Sequence, residues 1–262
     1  MWPRWTFDGP QPFFQTVPDQ TLTGNQTAAP VDFITRAGDF VLLGLVAQST
    51  GAFSTRIYHK GEGRYLDNGR VRSANLWGSA QYPTFTRAKF FKANSTVSFE
   101  LTDLSGSTNT IRLYLIGRQA SPGDSERYGK NRGFFVMVAD PLDVGIVLPG
   151  NLSLTQSVQV DSAAHFICDA MTSTQTSSNF LMNLAFRDPR SQFSLNLSND
   201  RMHHDALFGT QNLPFVFQSP AVMAKNSQLL FDGLDKSGST NTVRPTLVGA
   251  LSDSDNPADW AA

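Results

Sequence analysis

Apolar and polar residues alternate along much of this chain. In "STVSFELTDL" (95–104), Val97, Phe99 and Leu101 fall on one face and Ser98, Glu100 and Thr102 on the other. "TIRLYLIG" (110–117) sets Ile111, Leu113 and Leu115 against Arg112, Tyr114 and Ile116. "SLTQSVQVDS" (153–162) and "QFSLNLSN" (192–199) alternate in the same way. A period of two marks half-buried β-strands, and clusters of Gly, Pro, Asn and Ser interrupt it about every 8–12 residues. An apolar stripe at helical spacing is confined to a weak case near 203–209. Many short strands with turn signals predict an all-β sandwich or barrel.

The pattern occurs twice. "KANSTVSFELTDLSGSTNTIRLYLIG" (92–117) aligns without a gap on "AKNSQLLFDGLDKSGSTNTVRPTLVG" (224–249). Asn94 falls on Asn226, Phe99 on Phe231, Asp103 on Asp235 and Gly117 on Gly249. Upstream, "LWGSAQYP" (76–83) meets "LFGTQNLP" (207–214), and "GDFVLLGLVAQSTGAFSTRIY" (38–58) parallels "AHFICDAMTSTQTSSNFLMNL" (164–184) more loosely. The leaders "PDQTLTGNQT" (18–27) and "PGNLSLTQS" (149–157) also correspond. A repeat of this length is a duplicated domain rather than a solenoid unit. The expected architecture is therefore two tandem, related antiparallel β-sandwiches of jelly-roll type, over 1–125 and 126–262.

The best-kept element is "DLSGSTNT" (103–110) and its counterpart "DKSGSTNT" (235–242). Gly106 and Gly238 supply positive φ, while Asp103, Asn109, Asp235 and Asn241 can bond nearby amides in Asx-type turns. Flanked by alternating strands, the element reads as a hairpin closing each domain. It lacks the context of a nucleophilic serine, and the following strand does not suit a phosphate loop. Calcium at Asp103 and Asp235 is disfavoured, because the first copy brings only one carboxylate.

Composition narrows the function. Apolar residues make up 40% of the 262 residues, with 20 Phe, which is ample for a core. Charged residues are only 16%, against about 25% in an average soluble domain. A polar but sparsely charged surface suits a protein packed against copies of itself or against neighbours. The formal net charge of −1 offers no excess to neutralise a phosphate backbone, so nucleic acid is not expected as a direct partner. The basic stretches "RIYHKGEGR" (56–64) and "RYGKNRG" (127–133) read as solvated loops. No apolar run approaches membrane-spanning length, and the N-terminus lacks the order of a signal peptide. Cys168, the single cysteine, reads as a buried small hydrophobe in a disulfide-free, cytoplasmically folded chain.

Some features remain outside the strand pattern. "HHD" (203–205) is absent from the first half, and neighbouring residues on a strand face opposite ways, which disfavours a metal site. Four Asn-x-Ser/Thr triplets, at Asn25, Asn94, Asn151 and Asn196, follow from a Ser/Thr/Asn-rich composition. Trp77 and Phe208 align between the halves as core positions, leaving Tyr82 alone as a platform for a sugar. Trp2, Trp5, Phe7, Phe13 and Phe14 form an aromatic arm that must pack on its own first sheet or on a neighbouring subunit. They are the candidate interface.

The ordered segments "GDFVLLGLVAQSTGAFSTRIY", "GRYLDNGRV", "NLWGSAQYP" and "FFKANSTVSFELTDLSGSTNTIRLYLIGRQ" resemble small β-sandwich structural proteins of tailed bacteriophage virions. The resemblance covers about 85 residues of the first half, and reaches the second through the repeat. It implies a non-enzymatic virion component assembled in the host cytoplasm, without cofactors or metals. Its partners would be copies of itself and other virion proteins, not nucleic acid or membrane. Within that class a minor or decoration capsid protein comes first. A double-barrel major capsid protein and a collar or tail component follow. A carbohydrate- or receptor-binding module is the competing class.

Overall fold

A computed structural model describes residues 12–35, 38–128, 133–140, 142–160, 163–177, 179–187, 194–210 and 213–255. The first set of strands is β1 (Pro12–Thr16), β2 (Gln20–Leu22), β3 (Val31–Ile34), β4 (Phe40–Ser49), β5 (Phe53–His59), β6 (Arg64–Tyr65), β7 (Val71–Arg72), β8 (Thr84–Phe91), β9 (Thr96–Asp103) and β10 (Asn109–Gln119). A short helix α1 (Ser73–Leu76) follows β7, and α2 (Asp124–Tyr128) follows β10. The second set is β11 (Gly133–Val138), β12 (Ile146–Leu148), β13 (Ser153–Gln159), β14 (His165–Gln175), β15 (Phe180–Arg187), β16 (Ser194–Asn196), β17 (Met202–His203), β18 (Phe215–Met223), β19 (Gln228–Asp235) and β20 (Asn241–Ser252). Helix α3 (His204–Leu207) lies where the weak helical pattern was seen.

These strands form two sandwiches with one plan. In the first, one sheet has the order β1-β10-β4-β8, with β2 also on β10. Its partner sheet has the order β3-β9-β5-β6, with β7 also on β5. In the second, the orders are β11-β20-β14-β18 with β12, and β13-β19-β15-β16 with β17. Adding ten to each label converts one half into the other. Because β1 and β2 share an edge, as do β6 and β7, each sheet has four strand positions in jelly-roll order. All named strand pairs are antiparallel. The connection between the sets contains α2, which spans the 125/126 boundary expected from the repeat.

Local chemistry repeats with the topology. The pairing of β4 with β10 slips at Ile116/Gly117, and that of β14 with β20 between Cys168 and Ala170, opposite Gly249. A Cβ on Gly117 would stand 2.1 Å from the Val41 carbonyl oxygen, and one on Gly249 would stand 1.9 Å from that of Ile167. Only glycine lets the bulged strands approach so closely.

The element "DLSGSTNT" departs from expectation. It is not a hairpin, because β9 and β10 belong to different sheets. It carries the chain across the sandwich, as do the turns between β2 and β3 and between β4 and β5. Alternation on both sides gave the right strands; it carried no information about which sheet each one joins.

Two cores result, and β11 serves both. Phe134, Val136 and Val138 lie in the first apolar cluster, with Phe53, Trp77 and Phe99. Phe135, Met137 and Ala139 lie in the second, with Phe166, Phe180 and Phe231. Main-chain bonds reinforce the joint: the Val136 amide donates to the Leu66 carbonyl and the Asn68 amide to that of Val136. Replacing Val136 with Asp would bury a carboxylate between the cores, at a cost of about 3–5 kcal/mol. We expect the apparent Tm to fall by about 10 °C or more, measured by scanning calorimetry. An unchanged midpoint would deny β11 this structural role.

Candidate functional site

The repeated turn is a polar lock. The carboxylate of Asp103 is fully buried. It accepts from the amides of Asn25 (2.9 Å), Ser105 (3.2 Å) and Gly106 (3.1 Å), from the Ser105 hydroxyl (2.7 Å) and from the Asn109 side-chain amide (2.9 Å). Asn109 in turn accepts from the Gly51 amide (2.9 Å) and donates to the Ala52 carbonyl (3.1 Å). Thus one Asp–Asn pair ties together three of the turns that cross between sheets. The second copy repeats the lock: Asp235 accepts from the amides of Asn151, Ser237 and Gly238, and Asn241 bonds both the amide and carbonyl of Ser177. Gly106 and Gly238 have φ of +72° and +78°, which L side chains rarely adopt. Burial opposes ionisation of both aspartates, but the converging donors outweigh it and hold them below the usual range.

Because these oxygens are filled by the chain's own donors, the lock has nothing to offer a substrate. Asn25, Asn94 and Asn151 sit at φ near +60°, so three of the four Asn-x-Ser/Thr triplets are turn asparagines. Asn109→Ala should cost about 2–3 kcal/mol through the donors and acceptors left unpaired. Chemical denaturation would measure it, and a loss below 1 kcal/mol would remove the lock from the stability of the fold.

The other sequence candidates separate. Trp2, Trp5 and Phe7 lie outside the described residues. Phe13 packs against the first core, with its ring 6.4 Å from that of Phe40 in an edge contact. Phe14, its neighbour on β1, is 61% exposed. Trp77 and Phe208 are buried in different cores, while Tyr82 is half exposed. His203 is exposed, whereas His204 is buried with its ring stacked 4.3 Å from Phe180. Among the described residues no group of three or more His, Cys, Asp or Glu could hold a metal ion. Cys168 is buried, and burial pushes its thiol upward.

Sequence reasoning missed a cleft between the halves. The basic stretch "RIYHKGEGR" is a solvated turn only at 60–63: on β5 and β6, Arg56 and Arg64 line the joint. The Arg56 guanidinium lies 3.6 Å above the Tyr65 ring and 3.1 Å from the Asp67 carboxylate. Asp67 also accepts from the Ile57 amide at 2.7 Å, and Tyr65 donates to Glu100 at 2.7 Å. Arg56, Tyr65 and Asp67, with Asn68, Phe135 and Gln159, line a cleft of about 320 Å³. Behind it, Glu62 meets His59 (3.2 Å), Arg64 (2.6 Å) and the buried Lys89 ammonium. Burial opposes the charge on Glu62, yet His59, Lys89 and Arg64 hold it well below the usual range. Burial pushes Lys89 down to about 8. Spacing in sequence gave no hint of this cleft, since about half its walls come from the other domain.

Burial raises Asp67 to about 7, against the lowering by the Ile57 amide and Arg56. The native state therefore holds this proton more tightly than the unfolded chain, whose Asp titrates near 3.9. The stabilisation is full below about pH 4 and is lost as pH rises through about 7. Asp67→Asn should flatten the fall in denaturation midpoint over that window. An unaltered slope would show that Asp67 is not its source.

No protein-family model matches the chain, and no curated protein matches it. Solved structures overlap it at low identity. N-glycanase F has a TM-score of 0.43 at 8% identity, over 92% of this chain and 96% of that one. A structure describing the triple jelly roll fold and turret assembly of an archaeal virus has a TM-score of 0.32 at 13% identity. One of the Sulfolobus turreted icosahedral virus has a TM-score of 0.30 at 14% identity. The chain spans 94% of its own length in both viral overlaps, but 60% and 61% of those chains. At these TM-scores the likenesses assign neither an activity nor a partner; the jelly-roll order rests on the strand pairing itself.

Proposed function

We propose that this protein is a non-enzymatic structural component of a bacteriophage virion. Its first assignment is a minor or decoration capsid protein that stabilises the particle through subunit contacts. Major capsid, collar and tail positions are variants of the same reading. The observation that carries it is Phe14, exposed on the edge strand β1 beside an open groove of about 440 Å³ that Phe33 and Ile34 also line. The aromatic segment with Trp2, Trp5 and Phe7 leads directly into that strand. Aromatic residues of this kind supply the anchors of protein interfaces. Two rigidly joined sandwiches would bridge neighbouring subunits in a particle assembled in the host cytoplasm, with no direct contact to nucleic acid or membrane. Among the described residues no helix is long and apolar enough to cross a membrane.

Mass spectrometry of purified particles should find the chain. Deleting residues 1–11, which spares β1, should leave a folded protein that no longer enters particles. Normal incorporation of the truncated chain would overturn the role of the arm, and absence from particles would overturn the assignment.

The interdomain cleft favours a second reading, a carbohydrate- or receptor-binding module. Its aromatic Tyr65 beside Arg56, Asn68 and Gln159 is the specific support. Binding on a glycan array that Tyr65→Ala abolishes would select it.

A further inference from the structure

We propose that a second copy of this chain docks head to tail. The β16–β18 side of one second half would sit on the β1 face of the next first half, repeating the joint within the chain. The inference supplies the self-contact for the assembly role proposed above, and it is tested without any particle.

The strand registers carry the argument. Phe13 lies opposite Gly117, and Phe135 lies opposite Gly249. The next residues, Phe14 and Val136, are thus equivalent, as are Thr16 and Val138. Val136 is fully buried against the first half, whereas Phe14 is 61% exposed. The groove beside β11 is walled on its far side by Arg56, Tyr65 and Asp67 of the first half. The equivalent groove beside β1, with Phe13, Gln15 and Ile34, is lined by the first half alone. The first domain therefore presents the same face that the second domain buries.

The complementary face is also present. Tyr65 pairs with Tyr58 as Asn196 pairs with Ala185, and the Leu66 and Leu197 amides donate to Ile57 and Leu184 respectively. Asn68 is therefore matched by Asn199. Asn68 clamps Val138 through both its side-chain atoms, at 3.1 and 2.7 Å; Asn199 is an exposed asparagine at the same position. Val216 holds the place of Phe85, at the β18 edge, and is 52% exposed.

Where the two joints differ, they differ in matched pairs. Within the chain, Arg87 binds Asp169 at 2.8 and 2.9 Å. The counterpart of Asp169 is Leu43, and the stretch Phe217–Pro220 replacing that of Arg87 carries no cation. Asn75 donates to Thr246 while its carbonyl accepts from Thr172. Its counterpart is Ala206, and those of Thr246 and Thr172 are Tyr114 and Val46. Arg72 pairs with Asp143 at 2.9 Å, and Asp143 also faces Arg244 at 3.7 Å. The exposed His203 stands in the place of Arg72, while Asp19 binds Arg112, the equivalent of Arg244. The buried ion pair gives way to positions without charge on both faces, and Arg–Asp becomes His–Asp. Random drift of two unrelated surfaces would leave buried charges without partners instead.

Such a contact uses different patches on the two copies, so repetition closes into a ring or runs on as a filament. The test uses the full-length chain and two single-face variants, Phe14→Glu and Val216→Glu. Both positions are exposed, and circular dichroism and thermal melts should match the wild type. Sedimentation should show wild-type oligomers, monomers for each variant alone, and a dimer in an equimolar mixture, whose intact faces can still meet. In the wild-type background, Thr16→Cys with Asn199→Cys should crosslink between chains on oxidation. A wild type that stays monomeric at its highest soluble concentration would overturn the proposal. So would oligomers that survive both variants, or a mixture that stays monomeric, including one caused by the aromatic arm covering the β1 face. Particle incorporation is scored separately, so either proposal can fail alone.

Discussion

The fold depends on one strand being buried on both sides. β11 pairs with β20 on one edge and meets the 66–68 segment of the first half on the other. Its side chains alternate between two cores. Each buried Val or Phe contributes about 1.5–3 kcal/mol, so this short strand stabilises both sandwiches at once and fixes their relative orientation. The all-apolar run "GFFVMV" is the chemical requirement for that position. An alternating strand would strand polar groups in the joint.

The second constraint is polar. A jelly roll sends its chain repeatedly from sheet to sheet, and every crossing exposes amides that no ladder pairs. The Asp103–Asn109 couple satisfies several of them at one end of the first sandwich, and Asp235 with Asn241 does the same in the second. The carboxylate oxygens can accept many bonds at once, which explains why a fully buried acidic residue sits at this turn.

Much of this architecture was legible in the sequence. Alternation located β9, β10, β13 and β16, and the repeat matched Asp103 with Asp235 before any coordinates did. What could not be read was connectivity. Alternation around "DLSGSTNT" fits a hairpin and a sheet-to-sheet crossing equally well, because both join two strands by a tight turn. The cleft was hidden for a similar reason. Arg56 and Tyr65 acquire their surroundings from Phe135 and Gln159, far along the chain. Nor did local composition distinguish β1 from β11: both hold paired phenylalanines, and only the neighbouring domain decides which is covered.

The double burial of β11 also bears on synthesis. The first sandwich has all its own strands by Gln119, yet part of its wall is supplied by Phe134, Val136 and Val138. A nascent chain must therefore extend beyond its first domain before that domain can close. Until then an apolar surface faces the ribosome exit and the surrounding solvent. Order of emergence, rather than stability alone, then sets the interval in which the chain is open to misassembly.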